Sequence, residues 1–226
     1  MGAYILFFER RKNRDLHFKK SLTDHEDKDM ILFVNACVRK ESRTEKLAET
    51  LLKKLALDYE EIRLIDIDFP KTDEELLKNR YNLVDAHKYD DESFALARQF
   101  AAADTIVIAA PYWDLSFPAN LKQYIEHINI LGITFEYTPE GLPKGLCKAD
   151  KLYYVTTAGG SYVPEEFGFG YIKALAENFY GIKEVELIKA VGLDIYGADV
   201  EAIMNDAICN IRQADAKSAP QYKFKQ

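Results

Sequence analysis

Residues 105–110 are the feature of this chain that most constrains its fold. They are β-branched and small apolar residues, and Pro111 ends the run. A short continuous apolar run predicts a strand buried on both faces, as in the middle of a parallel sheet. A helical pattern starts near Ala119, so residues 112–117 are expected to form a loop at the carboxyl end of this strand. Ligands of open α/β sheets bind at that end.

The apolar pattern alternates between strand and helix from Met30 onward, which indicates right-handed parallel crossovers. Strands are predicted at residues 30–34, 61–65, 105–110, 152–156 and about 185–190. Helices are predicted at residues 42–55, within 71–91, at 94–103, from about 119, around 172–179 and around 200–211. The stretch 132–150, rich in glycine, proline and aromatic residues, is expected to be an ordered excursion or a hairpin.

The five predicted strands differ in their patterns. The first, third and fourth are nearly continuous apolar runs, whereas the second and fifth alternate charged and apolar residues. Continuous runs belong in the interior of a sheet and alternating runs nearer an edge. The expected fold is therefore an α/β, flavodoxin-like three-layer sandwich with a five-stranded parallel sheet in the order 2-1-3-4-5. In this winding the ligand crevice lies between strands one and three.

Length and composition favour one main domain. The chain has 226 residues, of which 48% are hydrophobic, and this is enough for one core, expected at residues 30–214. Residues 1–29 are dense in charge and are expected to form a poorly ordered N-terminal extension. Met30 directly precedes the first predicted strand, which raises the hypothesis that the native chain starts there. The polar tail 215–226 is expected to fray.

Charge and cysteine content argue against several classes of protein. With 37 acidic and 30 basic residues the net charge is -7, so no basic surface for nucleic acid is expected. Cys37, Cys147 and Cys209 are an odd number without a C-x-x-C motif, which indicates a reducing compartment and no zinc or other metal site. No apolar run approaches the ~18 residues that cross a bilayer. A cytoplasmic protein that does not enter a membrane is expected.

The loop after the first strand, residues 35–44, suits a phosphate monoester. It leads into a helix, whose free N–H groups and positive dipole end attract anions. Ser42 and Thr44 add hydroxyl donors, and Arg39 and Arg43 add positive charge. The loop has no glycine, which disfavours binding of a dinucleotide or a nucleoside triphosphate. Residues 42–45 also match a capping box, which explains Ser42 without any ligand.

The loop after the fourth strand reads Thr-Thr-Ala-Gly-Gly-Ser-Tyr at residues 156–162. Gly159 and Gly160 allow the backbone to approach a flat ligand closely. The alternative is a tight turn, for which one glycine usually suffices.

Four blocks of sequence carry a resemblance to a known family. They read Asn-Ala-Cys-x-x-x-x-Ser-Arg-Thr, Ala-Pro-Tyr-Trp-Asp-Leu-Ser-Phe-Pro-Ala-Asn-Leu-Lys, Ile-Thr-Phe-Glu-Tyr-Thr-Pro-Glu-Gly-Leu and Thr-Thr-Ala-Gly-Gly. Over about residues 30–210 the chain resembles the flavodoxin-like, FMN-dependent NADH-azoreductase and NAD(P)H:quinone oxidoreductase family. The resemblance implies one FMN per subunit and a homodimer with its active sites at the subunit interface. It also implies NADH or NADPH as co-substrate and a quinone or azo compound as electron acceptor.

The resemblance places the FMN phosphate at residues 42–44 and the ring between residues 112–115 and 158–160. The candidate cofactor-binding residues are Cys37, Arg39, Ser42, Arg43, Thr44, Pro111, Tyr112, Trp113, Asp114, Leu115, Thr157, Ala158, Gly159, Gly160 and Tyr162. No catalytic residue is assigned, because the flavin itself accepts a hydride and passes the electrons on in a ping-pong cycle. Tyr137, Tyr162 and Phe167 are candidates to line the slot.

This chain departs from the family pattern at two places. The family commonly has Met-Tyr-Asn-Phe after the proline, whereas this chain has Tyr-Trp-Asp-Leu at residues 112–115. An acidic Asp114 facing the ring would disfavour an anionic reduced flavin. Cys37 stands where serine is usual.

Two rival functions fit parts of the same sequence. Residues 37–44 match C-x5-R-[ST], the phosphate loop of low-molecular-weight tyrosine phosphatases, with Cys37 as nucleophile and Arg43 as phosphate clamp. Glu41 weakens this reading, as does the lack of the Asp-Pro pair that supplies the general acid. The second rival is a flavodoxin-like electron carrier that binds flavin without catalysing turnover.

Overall fold

The computed structural model describes residues 29–213. The extension expected before Met30 and the tail expected from Asp215 therefore lie outside the described residues. Within residues 29–213, no helix combines the length and apolar character that crossing a bilayer requires.

Strands and helices alternate along most of the described range. The strands are β1 (Met30–Asn35), β2 (Asp58–Arg63), β3 (Thr105–Ala109), β4 (Phe135–Tyr137), β5 (Pro143–Gly145), β6 (Lys151–Thr157) and β7 (Glu184–Ala190). The helices are α1 (Arg43–Leu55), α2 (Glu74–Asp85), α3 (Ala95–Ala102), α4 (Ala119–Ile128), α5 (Phe169–Leu175) and α6 (Val200–Gln213). Short 3-10 turns at Leu64–Asp66 and Glu92–Phe94 and a π-helical turn at Ala176–Tyr180 complete these elements.

The main sheet is wholly parallel and has the strand order β2-β1-β3-β6-β7. This order is the predicted 2-1-3-4-5 winding once the short strands β4 and β5 are set aside, and it confirms the fold. The alternating strands β2 and β7 form the two edges, while the continuous apolar strands form the interior. The alternating sequence pattern identified the two edge strands of the sheet, because only one face of an edge strand needs to be fully apolar.

Helices cover both faces of the sheet, so the domain has three layers. Leu32 and Val34 of β1 point into a core shared with α3, α4 and α5. Ile31 and Phe33 point the other way, into a second core shared with α1 and α6. Successive strand residues alternate between the faces, which is why an interior strand must be apolar throughout.

The second strand lies earlier than the sequence predicted. It was expected at residues 61–65, but β2 ends at Arg63 and residues 64–66 form a 3-10 turn. Its first half is exposed, and Tyr59 there is 51% accessible. Pairing with β1, in which Asp58 lies opposite Met30, sets the limits of β2. Since that pairing uses only the backbone, the apolar pattern did not mark where the strand starts.

The stretch 132–150 contains the expected hairpin. Strands β4 and β5 are antiparallel, with Phe135 opposite Gly145. The ring of Phe135 lies 5.0 Å from that of Phe179, in the π-helical turn after α5. A Cβ added at Gly145 would meet the backbone nitrogen of Gly181 at 2.1 Å, so the hairpin and this turn are in backbone contact.

Candidate functional site

Parallel register brings the ends of the central strands to one edge of the sheet. Asn35 at the end of β1 lies opposite Ala109 of β3, and Ala109 lies opposite Val155 of β6. Beyond the strands, the backbone N–H of Tyr112 donates to the carbonyl of Thr157 at 3.0 Å. The loops after β1, β3 and β6 therefore meet at this edge, as predicted. The surface formed by residues 36–44, 111–117 and 157–162 is called the crevice below.

The N-terminus of α1 forms one side of this crevice. Ser42 caps the helix, and its hydroxyl accepts a hydrogen bond from the N–H of Glu45 at 3.3 Å. The N–H groups of Arg43 and Thr44 find no acceptor among residues 29–213, as is usual in the first turn of a helix. An anion bound here would accept these donors and would meet the positive end of the helix dipole. Arg39 is exposed on the preceding loop.

Arg43 contacts a residue that the sequence analysis did not predict to lie at this site. Its guanidinium Nη1 donates to Oδ1 of Asp194 at 2.9 Å. Both side chains are substantially exposed, at 42% and 71%. The carboxylate of Asp194 thus occupies a position next to Arg43 where an anionic ligand would be attracted.

Thr44 and Thr157 connect the start of α1 to the end of β6. Their hydroxyl oxygens are 2.6 Å apart, and both residues are buried. A hydrogen bond of this kind fixes the helix N-terminus against the sheet. The structure therefore brings Ser42, Arg43, Thr44 and Thr157 together, and whether each contacts a cofactor stays a prediction.

A network of polar side chains, which the sequence analysis did not predict, holds the loop after β1 in place. Asn35 is fully buried, and its Nδ2 donates to carboxylate oxygens of Glu45 and Glu61, each at 2.8 Å. Its Oδ1 accepts the N–H of Cys37 at 3.0 Å. Arg63 donates to the same Glu45 oxygen at 2.6 Å. Glu45 of the capping box is thus held by Asn35 and Arg63, and this orients the whole first turn of α1.

Cys37 lies beneath the crevice. It is 1% exposed, within the core between the sheet and α1, and its Sγ is 3.9 Å from the carbonyl oxygen of Ala109. Burial raises the pKa of the Cys37 thiol to about 11. A phosphatase nucleophile must be a thiolate near neutral pH, which calls for a lowered pKa. The geometry of Cys37 therefore disfavours the phosphatase interpretation.

The loop after β3 contains a tight turn with an uncommon backbone. The N–H and carbonyl groups of Trp113 and Ser116 exchange hydrogen bonds at 3.2 and 2.7 Å. Asp114 and Leu115 between them have φ values of 50° and 67°. Two residues with positive φ define a type I′ turn, which normally uses asparagine or glycine. Backbone strain of this kind in non-glycine residues is concentrated at functional sites. In this turn the side chains of Trp113 and Leu115 are exposed to solvent.

Aromatic side chains from two loops flank the crevice. Tyr112 is half-buried; desolvation of its hydroxyl raises its pKa, and Tyr162 and Glu166 nearby raise it further. Tyr162 is 79% exposed. The hydroxyl of Ser116 donates to the carbonyl of Phe167 at 3.2 Å and so joins the turn after β3 to the loop after β6. Pro111, half-buried, positions the start of this turn. Tyr137, the third aromatic candidate, lies in β4.

The two glycines after β6 have different surroundings. A Cβ added at Gly159 would collide with the side chain of Asp194, at 2.3 Å from Oδ2, whereas one added at Gly160 would meet nothing within 4 Å. Ala158 is buried, and its N–H donates to the carbonyl of Ala190. Gly159 thus makes room for Asp194, while Gly160 leaves open space beside its backbone.

The loop after β7, residues 191–199, is a fourth contributor that sequence reasoning missed. The N–H groups of Gly192, Leu193 and Asp194 donate to the carbonyls of Gly160, Ala158 and Gly159 respectively. The sequence of this loop did contain a signal. Gly192 ends the apolar run at the carboxyl end of the last strand, and Gly197 follows that run. Both have positive φ. This loop delivers Asp194 to Arg43.

Comparisons with known proteins agree with this geometry. A family model described as having a flavodoxin-like fold matches residues 30–214. An FMN-dependent NADH:quinone oxidoreductase of Clostridium perfringens is 34% identical over 187 residues, which are 79% of this chain and 93% of that protein. One of Lachnoclostridium phytofermentans is 36% identical over 181 residues, covering 76% and 90%.

A solved azoreductase structure from Bacillus anthracis has the same fold. It superposes with a TM-score of 0.72 and 24% identity, covering 84% of this chain and 99% of the azoreductase chain. The family model and the two oxidoreductases together confirm the resemblance inferred from the four sequence blocks. The chain belongs to the flavodoxin-like family that contains these FMN-dependent NADH:quinone oxidoreductases.

Proposed function

We propose that this protein is an FMN-dependent oxidoreductase that transfers two electrons from NADH to a flat acceptor such as a quinone or an azo compound. The single observation that carries the proposal is the convergence of residues 36–44, 111–117 and 157–162 at the N-terminus of α1. The relatives at 34% and 36% identity, which span nearly all of this domain, are named for the same activity.

The crevice suits a phosphate monoester attached to a flat ring. Free N–H groups in the first turn of α1 and the guanidinium of Arg43 supply donors and charge for a phosphate. Open space beside Gly160 allows a ring to approach the backbone closely. Residues 112–115, held by the tight turn, supply the opposite surface. FMN has both of these chemical parts.

Bound FMN supplies the two-electron chemistry. The residues of this chain need only bind, orient and exclude water. Arg43 and the helix N-terminus fix the phosphate end. Paired hydrogen bonds between Trp113 and Ser116 fix the backbone of this turn, so that little backbone ordering remains to be done when a ligand arrives. Tyr162 and Phe167 are exposed and available to cover a flat substrate.

A homodimer is the proposed assembly. Trp113, Leu115 and Phe167 are 38%, 45% and 57% exposed near the crevice, where a second subunit would bury them. Exposed apolar groups of this size beside a polar rim are typical of interaction sites. Sedimentation velocity of the purified chain checks this, and a monomer at micromolar concentration would refute it.

We further propose that residues 30–214 form the FMN-binding domain. We also propose that the protein is cytoplasmic, a location that its three unpaired cysteines support.

Flavin binding tests the cofactor assignment directly. The purified protein is expected to absorb between about 350 and 500 nm, as flavoproteins do. Arg43→Glu should remove the cofactor, because a carboxylate would then face the phosphate. Lys46→Glu makes the same charge reversal at an exposed position of α1 and should retain the flavin. Cys37→Ser should also retain it. A colourless wild-type protein that does not bind added FMN would refute the proposal.

Turnover separates the enzyme from its two rivals. Steady NADH oxidation with added menadione supports an oxidoreductase. A bound flavin that NADH cannot reduce would support an electron carrier instead. Cleavage of p-nitrophenyl phosphate that Cys37→Ser abolishes would support a phosphatase, against the buried position of this thiol.

A further inference from the structure

The predicted capping box at residues 42–45 is only half formed. The hydroxyl of Ser42 accepts the N–H of Glu45 at 3.3 Å, which is the first of the two hydrogen bonds that define the motif. In the second, the carboxylate of Glu45 would accept the N–H of Ser42. Within residues 29–213 this second hydrogen bond is not made, and the N–H of Ser42 has no backbone acceptor either. The carboxylate of Glu45 is bound by other partners instead.

Two donors hold this carboxylate at the end of β1. Nδ2 of Asn35 donates to Oε1 of Glu45 at 2.8 Å, and Nη1 of Arg63 donates to the same oxygen at 2.6 Å. The hydrogen bond to Glu45 raises the pKa of Arg63. The side chain of Glu45 is 15% exposed, so water weakens these charge-assisted hydrogen bonds little. The carboxylate is therefore fixed beside Asn35 and Arg63.

The hydrogen bonds of Asn35 require an amide at this position. Its Oδ1 accepts the N–H of Cys37 at 3.0 Å, while its Nδ2 donates to Glu61 as well as to Glu45, each at 2.8 Å. An amide supplies both an acceptor for the backbone and two donors for carboxylates, whereas an aspartate of the same shape supplies no donor. Asn35 thus connects the start of the loop after β1, at Cys37, to its end, at Glu45.

A carboxylate in the usual capping-box position would oppose the phosphate that is proposed to bind at α1. Its oxygen would accept the N–H of Ser42, and its negative charge would lie at the positive end of the helix dipole. Phosphates are attracted to the same end of a helix, so the two anions would compete for it. With the carboxylate held at Asn35, the helix N-terminus is left to the phosphate.

We propose that Asn35 is a positioning residue for phosphate recognition, because it holds the Glu45 carboxylate away from the N-terminus of α1 and so keeps that N-terminus open to an anion. Asn35 is fully buried and acts through Glu45, without touching a ligand. The inference rests on the proposed function, since the phosphate concerned is that of FMN. The preference for FMN over riboflavin then depends on a residue that lies beneath the crevice.

The dissociation constants of FMN and riboflavin test the proposal, because the two ligands differ only in the phosphate. They are measured by flavin fluorescence quenching with the flavin-free full chain, and the wild type should bind FMN more tightly. Asn35→Ser keeps an oxygen that can accept the N–H of Cys37 but loses the amide donors to Glu45 and Glu61. It should reduce the preference for FMN by about three- to tenfold, since the released carboxylate then competes at the helix N-terminus.

Glu45→Ala separates the positioning role from a purely structural one. This variant has no carboxylate to restrain, so it should keep the preference for FMN, and Asn35→Ser added to it should cause no further change. Val34→Ala is the matched control for loss of stability. Val34 precedes Asn35 in β1, is also fully buried and points into the core on the other face of the sheet, so this variant should leave the preference for FMN unchanged.

Three results would overturn the proposal while leaving the proposed function intact. The first is an unchanged preference for FMN in Asn35→Ser. The second is an equal loss of preference in Asn35→Ser with and without Glu45→Ala, which would assign Asn35 to the fold of the loop alone. The third is the same loss in Val34→Ala. A wild type that binds neither flavin, or both equally, would instead refute the proposed phosphate site and this inference with it.

Discussion

Asp194 shows how one residue can tune the proposed cofactor site. Its carboxylate contacts Arg43 at 2.9 Å, so it would compete with the phosphate proposed to bind there for the same guanidinium. Asp194→Asn is expected to tighten FMN binding about two- to fivefold, in line with the small energy of an exposed ion pair. Titration of the apoprotein by flavin fluorescence quenching measures this.

The matched control for Asp194 is Asp206→Asn, which removes one negative charge at an exposed position of α6. Riboflavin, which lacks the phosphate, should bind Asp194→Asn and the wild type equally. If Asp194→Asn binds FMN more weakly, then Asp194 orients Arg43 for the phosphate instead of competing with it.

Leu115 carries backbone strain that a substitution can release. Its φ of 67° lies in the left-handed region, which disfavours a bulky side chain by ~1–2 kcal/mol. Glycine at this position loses that strain but gains freedom in the unfolded chain, so Leu115→Gly should stabilise the protein by up to about 1 kcal/mol. Urea unfolding measures the change. Leu142→Gly, at another exposed leucine, should not stabilise, and equal effects at both positions would contradict the strain argument.

At the level of elements, Gly145 controls how the β4–β5 hairpin packs. A Cβ there would lie 2.1 Å from the backbone of Tyr180 and Gly181, and backbone atoms cannot rotate away. Gly145→Ala should therefore destabilise the protein by about 2 kcal/mol or more. Thermal unfolding checks this.

Gly160→Ala is the control, since an added Cβ there meets nothing within 4 Å. It should leave the melting temperature of the apoprotein unchanged and should weaken FMN binding, because the methyl group enters the space proposed for the ring. A large loss of stability in Gly160→Ala would show that this glycine has a structural role.

At the level of the whole molecule, the three cysteines report on the difference between interior and surface. Cys209 is exposed, whereas burial raises the pKa of Cys37 to about 11 and that of Cys147 to about 12. Iodoacetamide at pH 8 should label Cys209 within minutes, the partly exposed Cys147 more slowly because its pKa is raised, and the buried Cys37 only on unfolding, as peptide mass spectrometry would show. Rapid labelling of Cys37 in the native protein would contradict its burial and would favour the phosphatase.

The raised pKa of Cys37 also predicts how the stability of the fold changes at alkaline pH. The ordinary pKa of Cys37, 9.0, applies to the unfolded chain, and the folded value is higher. The folded state therefore holds the proton more tightly. This contribution is complete below about pH 9 and is lost as the pH rises from 9 toward 11.

The strand order of the main sheet and the three loops could be predicted from the sequence. A parallel strand that is buried on both faces has a continuous apolar run, and exposed segments do not show such a run. The run ending at Pro111 marked a central strand in this way. The start of β2 and the role of Asn35 did not follow, since backbone pairing and a buried amide leave no periodic signal.

Sequence alone thus determined the winding and the edge of the sheet at which the three predicted loops meet. Only the tertiary structure decided that Asp194, 151 residues after Arg43, meets its guanidinium. The physical reason is distance along the chain. Local patterns record whether a residue is buried, whereas contacts between distant side chains depend on how the finished layers pack.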